Sequence, residues 1–401
     1  MSQKKIAIIL PGDLPVPDVL GGAIETIVQF TLDQNEKQQQ LQLVVFSSYN
    51  KEAKKVSGKY RFAQFVWVRR GIAYNAVNFL IKALRKTVAR KLDNFDGQIL
   101  KWQVCRGNFD RVIVYGNPNH LMALSKVVPK DRLIFYMHAN LFKQRDIRSL
   151  KAGCAAGRYL CVSEFIKQEI VKNAEVPPGQ IAVIKNPIDL DKFTQAGELQ
   201  RPADLTEKYG IRDDETVLLF VGRIVEDKGI KALLQALKSL PEKAKFKLLV
   251  VGSFGSAFGR GHQKDKFHDE LIALAQTMDS KIIFTGFVHN SELPQYHALA
   301  DMIVMPSLCE EAAGMVAMEA MASGLPVITT DAGGIPEYIT EDCGYILRRD
   351  GDFIANVAGA IDELMRSGEK RVVMGMAGKN QARAFSPEVY YKNYVRLVLG
   401  F

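Results

Sequence analysis

The sequence predicts an α/β protein made of two doubly wound, parallel-sheet domains in tandem. Three observations carry this. Short runs rich in Val, Ile, Leu and Phe recur through both halves, with longer helix-period segments between them. The runs are nearly continuous in apolar residues, as expected of strands covered on both faces by crossover helices. The rhythm breaks once, at the proline-rich stretch PPGQIAVIKNP (Pro177–Pro187), and then begins again.

In the first half the strand candidates are Lys5–Leu10, Gln42–Ser48, Phe65–Val68, Arg111–Gly116, Arg132–His138 and Tyr159–Ser163. Helical patterns fill most of the gaps, among them Ala23–Gln34 and Ala76–Leu92. The proline-rich stretch holds one short strand and is taken as the linker. In the second half the strands are Thr216–Arg223, Phe246–Ser253, Lys281–Phe287, Met302–Pro306, Pro326–Thr330 and Tyr345–Leu347. Helices are expected at Ile230–Leu240, Lys266–Met278, Met315–Ala322, Phe353–Met365 and Glu388–Leu399. The domains are therefore placed at 1–180 and 188–385. The last helix, about 386–401, is free to pack back on the first domain. Ligands of such sheets sit beyond the carboxyl ends of the strands, so strand-end residues carry the functional weight.

Composition narrows the class. The chain has 401 residues, 47% hydrophobic and 24% charged, which fits an ordinary globular protein. No apolar run approaches the ~18–20 residues that span a bilayer, and the opening MSQKKIAIIL runs straight into a strand, unlike a signal peptide. Five scattered cysteines form no zinc spacing, so reduced thiols in a cytosolic protein are expected. The net charge of +9 is uneven: residues 1–185 hold 29 Lys+Arg against 14 Asp+Glu, and the rest of the chain is net acidic. A basic half points to an anionic partner such as a membrane surface, a phosphorylated glycan or nucleic acid.

The stretch PSLCEEAAGMVAMEAMASGLPVITTD (Pro306–Asp331) is the richest in chemistry. Glu311 and Glu319 have seven residues between them, with the small turn Ala312-Ala313-Gly314 following the first and a helix-forming run carrying the second. The turn lets both acids face one cleft, one reading sugar hydroxyls and the other a ribose. The helix start at Gly314, Met315 and Val316 offers backbone N–H groups and a positive dipole end to an anion. Upstream, Gly222-Arg223 ends a strand and Lys228-Gly229 begins the next helix. Two cations five positions apart suit a diphosphate; the plain alternative is a solvated helix start, although the dipole disfavours basic residues there. Gly21-Gly22 precedes the first helix and lets backbone approach a ligand, or simply makes a flexible loop. His138 ends an apolar strand, as a structural hydrogen-bonder or as a site residue.

Other signals lead away from chemistry. Asp189-Leu-Asp191 follows the linker proline without a preceding strand and reads as a turn rather than a metal pair. VGSFGSAFGRG (Val251–Gly261) lacks the dinucleotide-binding glycine spacing. No metal site and no bound cofactor are expected. In Ala76–Leu92, Lys82, Arg85, Lys86 and Arg90 lie mostly opposite an apolar face, with Phe65, Trp67, Phe79 and Trp102 nearby. That suits docking on anionic lipid, or a core-packing helix with a charged outer face. Nucleic acid gains no motif beyond charge.

With these residues on view the chain resembles the family 4 glycosyltransferases of the GT-B type, two Rossmann-like domains facing across a cleft. The matching segments are GGAIE (Gly21–Glu25), HAN (His138–Asn140), CVSEFIK (Cys161–Lys167), VIKNPID (Val183–Asp189), VGRIVEDKG (Val221–Gly229), TGF (Thr285–Phe287) and EAAGMVAMEAMASGLPVI (Glu311–Ile328). The usual Gly-Phe-Gly after the first Glu is Ala312-Ala313-Gly314 here, a variant resembling lipopolysaccharide-core transferases.

The resemblance implies specific roles. Arg223 and Lys228 neutralise the donor diphosphate, Glu319 binds the ribose and Glu311 contacts the donor sugar. N–H groups near Met315 and Val316 meet phosphate, Gly21 and Gly22 approach the donor, and His138 lies near the reacting sugar. It implies a retaining, metal-independent hexosyltransferase. Its expected donor is a UDP-sugar, and its expected acceptor a lipopolysaccharide-core or other cell-surface glycan or glycolipid. Its place would be the cytoplasmic face of the inner membrane, held peripherally. A nucleotide-sugar epimerase and a non-catalytic nucleotide-sugar-binding protein are the competing classes.

Overall fold

Segments whose apolar pattern is nearly continuous become the strands of two all-parallel sheets. The computed structural model describes residues 3–12, 14–69, 95–196, 200–255, 266–278 and 281–400. By packing, the chain divides into Met1–Pro187 with Pro387–Phe401, and Ile188–Ser386.

The first unit holds β1 (Lys4–Ile9), β2 (Leu41–Ser48), β3 (Ala63–Val68), β4 (Arg111–Tyr115), β5 (Leu133–Met137), β6 (Arg158–Cys161) and β7 (Ile181–Val183), in the order β3-β2-β1-β4-β5-β6-β7. β1 pairs in parallel with β2 on one side and β4 on the other. The winding direction reverses there, which opens a crevice at the carboxyl ends of these two strands. Ile6, Ala7, Ile8 and Ile9 are wholly buried, as a strand covered on both faces requires. The proline-rich stretch is more than a connection, because its strand β7 extends this sheet through β6. The final helix Pro387–Leu399 belongs to this unit, where Tyr391 donates to Asn35 Oδ1 at 2.5 Å.

The second unit holds β8 (Thr216–Val221), β9 (Phe246–Val251), β10 (Ile282–Gly286), β11 (Met302–Met305), β12 (Val327–Thr330) and β13 (Gly344–Leu347), ordered β10-β9-β8-β11-β12-β13. β8 lies between β9 and β11, all parallel, so its switch point is at β8 and β11. Val217, Leu219, Ile303 and Val327 pack with the helix Met315–Ala322 on one face. Leu218, Phe220, Val304 and Ile328 pack with Ile230–Lys238 and Phe353–Arg366 on the other.

Two readings are corrected. Asp189-Leu-Asp191 is a helix start, not a free turn: Leu190–Ala196 is helical, and Asp189 Oδ1 accepts the Lys192 N–H at 3.1 Å, the usual job of an acid ahead of a helix. A helix also spans Gly368–Ala382, where none was expected. Glycine is a poor helix former, yet Gly375 and Gly378 are what lets this helix pack. A Cβ at Gly375 would lie 2.0 Å from the Gly324 carbonyl oxygen, and one at Gly378 3.2 Å from Met321 Cα. The segment Ala76–Leu92, with Lys82, Arg85, Lys86 and Arg90, lies outside the described residues.

Candidate functional site

The switch point of the second unit gathers most of the expected residues. At the end of β8, Gly222 has φ +152° and donates to the Val251 carbonyl at 2.9 Å. Neighbouring Gly252 approaches so closely that a Cβ there would sit 1.8 Å from the Gly222 oxygen. Arg223 emerges from this point exposed, and its guanidinium has no partner among the described residues. A short 3-10 turn, Glu226–Lys228, follows, closed by Gly229 at φ +72°. A Cβ on Gly229 would lie 1.8 Å from the Pro306 carbonyl oxygen, so this turn lies flat against the loop leaving β11. The Leu308 and Cys309 N–H groups donate to the Asp227 carbonyl at 2.8 and 3.3 Å, stitching the two loops together.

That stitching brings Lys228 onto Glu311. Lys228 Nζ donates to Glu311 Oε1, and Ser307 Oγ donates to the same oxygen at 3.0 Å. The two charged side chains stay 24% and 20% exposed, so a ligand can reach them. Behind the carboxylate, the Gly334 N–H donates to the Glu311 carbonyl at 2.8 Å, and Thr330 Oγ1 donates to the Ser307 carbonyl at 2.7 Å.

The helix Met315–Ala322 begins three residues beyond Glu311, at the buried Gly314, and no side chain caps it. Its first-turn N–H groups, including those of the half-buried Met315 and Val316, have no acceptor within the helix, as at any helix start. On the same helix Glu319 is half-buried beside the wholly buried Met318 and Ala320. Burial raises its pKa to about 7, against the weaker pull of the Lys192 ammonium. Lys192 is itself held by Asn290, donating to its carbonyl at 2.5 Å and its side-chain oxygen at 3.1 Å. The two acids thus differ in kind: Glu311 is an ion-paired carboxylate, and Glu319 stands near the midpoint of its titration at neutral pH.

In the first unit, Gly21 and Gly22 close the loop after β1. Asp18 braces that loop, accepting the Gly21 N–H at 2.8 Å and the Thr26 hydroxyl at 2.6 Å. Gly22 has φ +139°, and a Cβ on it would lie 2.3 Å from the buried Glu25 carboxylate, so only glycine fits. The helix Ala23–Gln38 starts there without a side-chain cap. His138 follows β5, stacked on Tyr115 at 5.5 Å between ring centres and tilted against Tyr136 at 4.1 Å. Burial lowers its pKa to about 3, with the Asn186 side chain partly opposing, so the ring is neutral at neutral pH. Both ring nitrogens are shielded from solvent and neither makes a well-formed hydrogen bond among the described residues.

The structure therefore joins Lys228 to Glu311, sets Gly314, Met315 and Val316 on the adjoining segment, and places Arg223 on the strand end that leads to Lys228. Glu319 lies further along the same helix. Gly21, Gly22 and His138 occupy strand ends of the first unit. Sequence reasoning missed Ser307, Lys192 and Arg349, the last described below. An Asp-x-x-Lys pattern after the linker was the available signal for Lys192, while Arg349 had none.

Comparison with known proteins identifies the family and the fold. A model of the group 1 glycosyl transferases matches residues 203–381, and one of glycosyltransferase family 4 matches residues 37–192. Spore coat protein SA of Bacillus subtilis is 26% identical over 389 residues, 95% of either chain. The lipopolysaccharide 1,2-N-acetylglucosaminetransferase of Salmonella typhimurium is 30% identical over 236 residues, 58% of either chain. Among solved structures, Anabaena HepE in complex with UDP and glucose is similar with a TM-score of 0.74 at 18% identity, covering 100% of both chains.

Proposed function

We propose that this chain, which belongs to the family 4 glycosyltransferases of GT-B type, moves a hexose from a UDP-sugar to a lipopolysaccharide-core or other cell-surface glycan with retention of configuration. The observation that carries the reading is the contact of Lys228 with Glu311 at the β8–β11 switch point, beside an uncapped helix start. Cation, carboxylate and amide array together match a diphosphate joined to a polyhydroxyl.

Breaking the bond between the sugar and the diphosphate leaves extra negative charge on the leaving group. Arg223, Lys228 and the N–H groups at Met315 and Val316 are positive groups that stabilise it as it develops. As Lys228 turns to phosphate, Glu311 is released to accept hydrogen bonds from sugar hydroxyls. Glu319 takes the ribose, Gly22 and Gly21 let backbone approach the donor, and His138 lies near the reacting sugar. The acceptor hydroxyl attacks the anomeric carbon on the face from which the diphosphate departs. Its oxygen–carbon bond forms as the sugar–phosphate bond breaks, and its proton passes to a leaving phosphate oxygen. No carboxylate is asked to act as nucleophile, since Glu311, once Lys228 has turned away, is engaged with the hydroxyls of the donor sugar.

The UDP assignment is supported by the UDP and glucose bound in the Anabaena structure, and the acceptor class by the name of the Salmonella relative. The basic first half, with Lys82, Arg85, Lys86 and Arg90, supports peripheral attachment to the anionic cytoplasmic face of the inner membrane, where a lipid-linked acceptor waits. Among the described residues no helix is long and apolar enough to cross a membrane.

The test is a thermal-shift panel of UDP-glucose, UDP-galactose, UDP-N-acetylglucosamine and GDP-mannose, since a bound donor raises the melting temperature by mass action. Proton NMR of the transferred sugar follows. One UDP-sugar should stabilise the chain and give a product with the donor's anomeric configuration. An inverted product, or a converted nucleotide-sugar with no transfer, contradicts the proposal.

A further inference from the structure

Arg349 lies just beyond β13, and its guanidinium reaches two other loops of the second unit. Nε donates to Asp331 Oδ1 at 2.9 Å, Nη1 to the Leu308 carbonyl at 3.1 Å and Nη2 to Glu310 Oε1 at 2.9 Å. Leu308 and Glu310 belong to the loop after β11, and Asp331 opens the loop after β12. Those two loops also meet directly, through the Gly334 N–H on the Glu311 carbonyl, and Leu308 passes the connection on to Asp227 beside Lys228. Arg349 therefore closes a ring of contacts around the segment that carries Glu311. The planar fork of arginine serves these acceptors from three separate nitrogens, a spread that the three donors on the one nitrogen of lysine do not have.

We infer that Arg349 is a positioning residue that holds the Leu308–Glu311 loop in register, so that Glu311 meets the donor sugar and Lys228 the diphosphate. This rests on reading the switch point as the donor seat. Arg349 acts through the loop and not by touching the sugar.

Hydrogen exchange and donor turnover test it in the full chain. In Arg349→Met, amides of Leu308–Glu311 should exchange about tenfold faster while those of β8 and β11 keep their protection. With whichever of the four panel donors the wild type binds, kcat should fall about tenfold, the scale of a small misplacement of a reacting group. The Kd for UDP should stay within about threefold, and Arg349→Lys should recover part of the rate. Combined with Glu311→Ala, Arg349→Met should add little further loss, because both act through one carboxylate. Glu310→Gln, a milder cut of one arm, should give a smaller loss of the same kind, and it serves if Arg349→Met fails to fold. Unchanged kcat in these variants, or a fully additive double variant, overturns the inference. Wild-type turnover in Glu311→Ala, or no binding of any of the four donors, instead overturns the reading of the site on which it rests.

Discussion

Lys228, on the turn after β8, donates to the carboxylate of Glu311, 83 residues further along the chain on the loop after β11. Each therefore competes with the ligand group the other is assigned to. A diphosphate must draw Lys228 away, and in doing so it frees Glu311 for hydroxyls. Glu311→Gln removes that competition and the repulsion between carboxylate and phosphate. UDP alone should then bind about fivefold more tightly, the scale of a partly exposed ion pair, while donor turnover falls. Titration calorimetry reads the first effect, and weaker UDP binding in the variant would refute the competition.

Glu319 gives a pH signature. Its pKa is raised from 4.5 to about 7 by burial. Only the carboxylate form accepts from both ribose hydroxyls, so UDP affinity should climb across about pH 6 to 8 as Glu319 ionises. Titration of UDP itself is common to every variant, so the difference between wild type and Glu319→Gln isolates this residue. Between its ordinary and raised values the folded chain holds more protons than the unfolded one. Stability attributable to Glu319 therefore declines as pH rises through that window, and Glu319→Gln should remove the decline. Parallel affinity profiles for the two proteins would dismiss the ribose role.

Gly229 shapes the site. Gly229→Ala must place a Cβ 1.8 Å from the Pro306 oxygen at φ +72°. The left-handed backbone alone costs a non-glycine residue roughly 1–2 kcal/mol, and the clash adds to it. A melting temperature lower by at least about 4 °C is expected, with weaker UDP binding as Lys228 shifts. Gly351→Ala, where a Cβ meets nothing within 4 Å, is the matched control and should be neutral. Equal behaviour of the two would argue against close contact of the loops.

His138 is held neutral, its pKa lowered from 6.5 to about 3. The unfolded chain binds more protons than the folded one between those values, so stability falls as pH drops below about 6.5. The buried His297 acts in the same direction. Replacing one of the two, as in His138→Phe, should reduce the loss of melting temperature between pH 7 and pH 4 without abolishing it. An unchanged loss would mean the imidazole is not buried as described.

Much of this was legible in the sequence, for identifiable reasons. Strands such as Leu133–Met137 and Met302–Met305 are continuous apolar runs, and their ends differ from expectation by only a residue or two. The helix Met315–Ala322 was readable because small and apolar residues flank a single acid. The order of the strands was not readable, and it is the order that puts β8 beside β11 and so Lys228 against Glu311. The helix Gly368–Ala382 was hidden by glycines whose value lies in contact with Gly324 and Met321. The guanidinium of Arg349 sits on a loop end with no pattern around it, and only folding reveals its three partners.

The central claim is that Arg223 and Lys228 stabilise the departing diphosphate. Its most direct test is the rate of UDP release from the cognate donor, under saturation and in a single turnover, for the double variant Arg223→Ala, Lys228→Met. The account predicts a fall of at least about 10³-fold with the fold intact. A rate within about tenfold of wild type would contradict it.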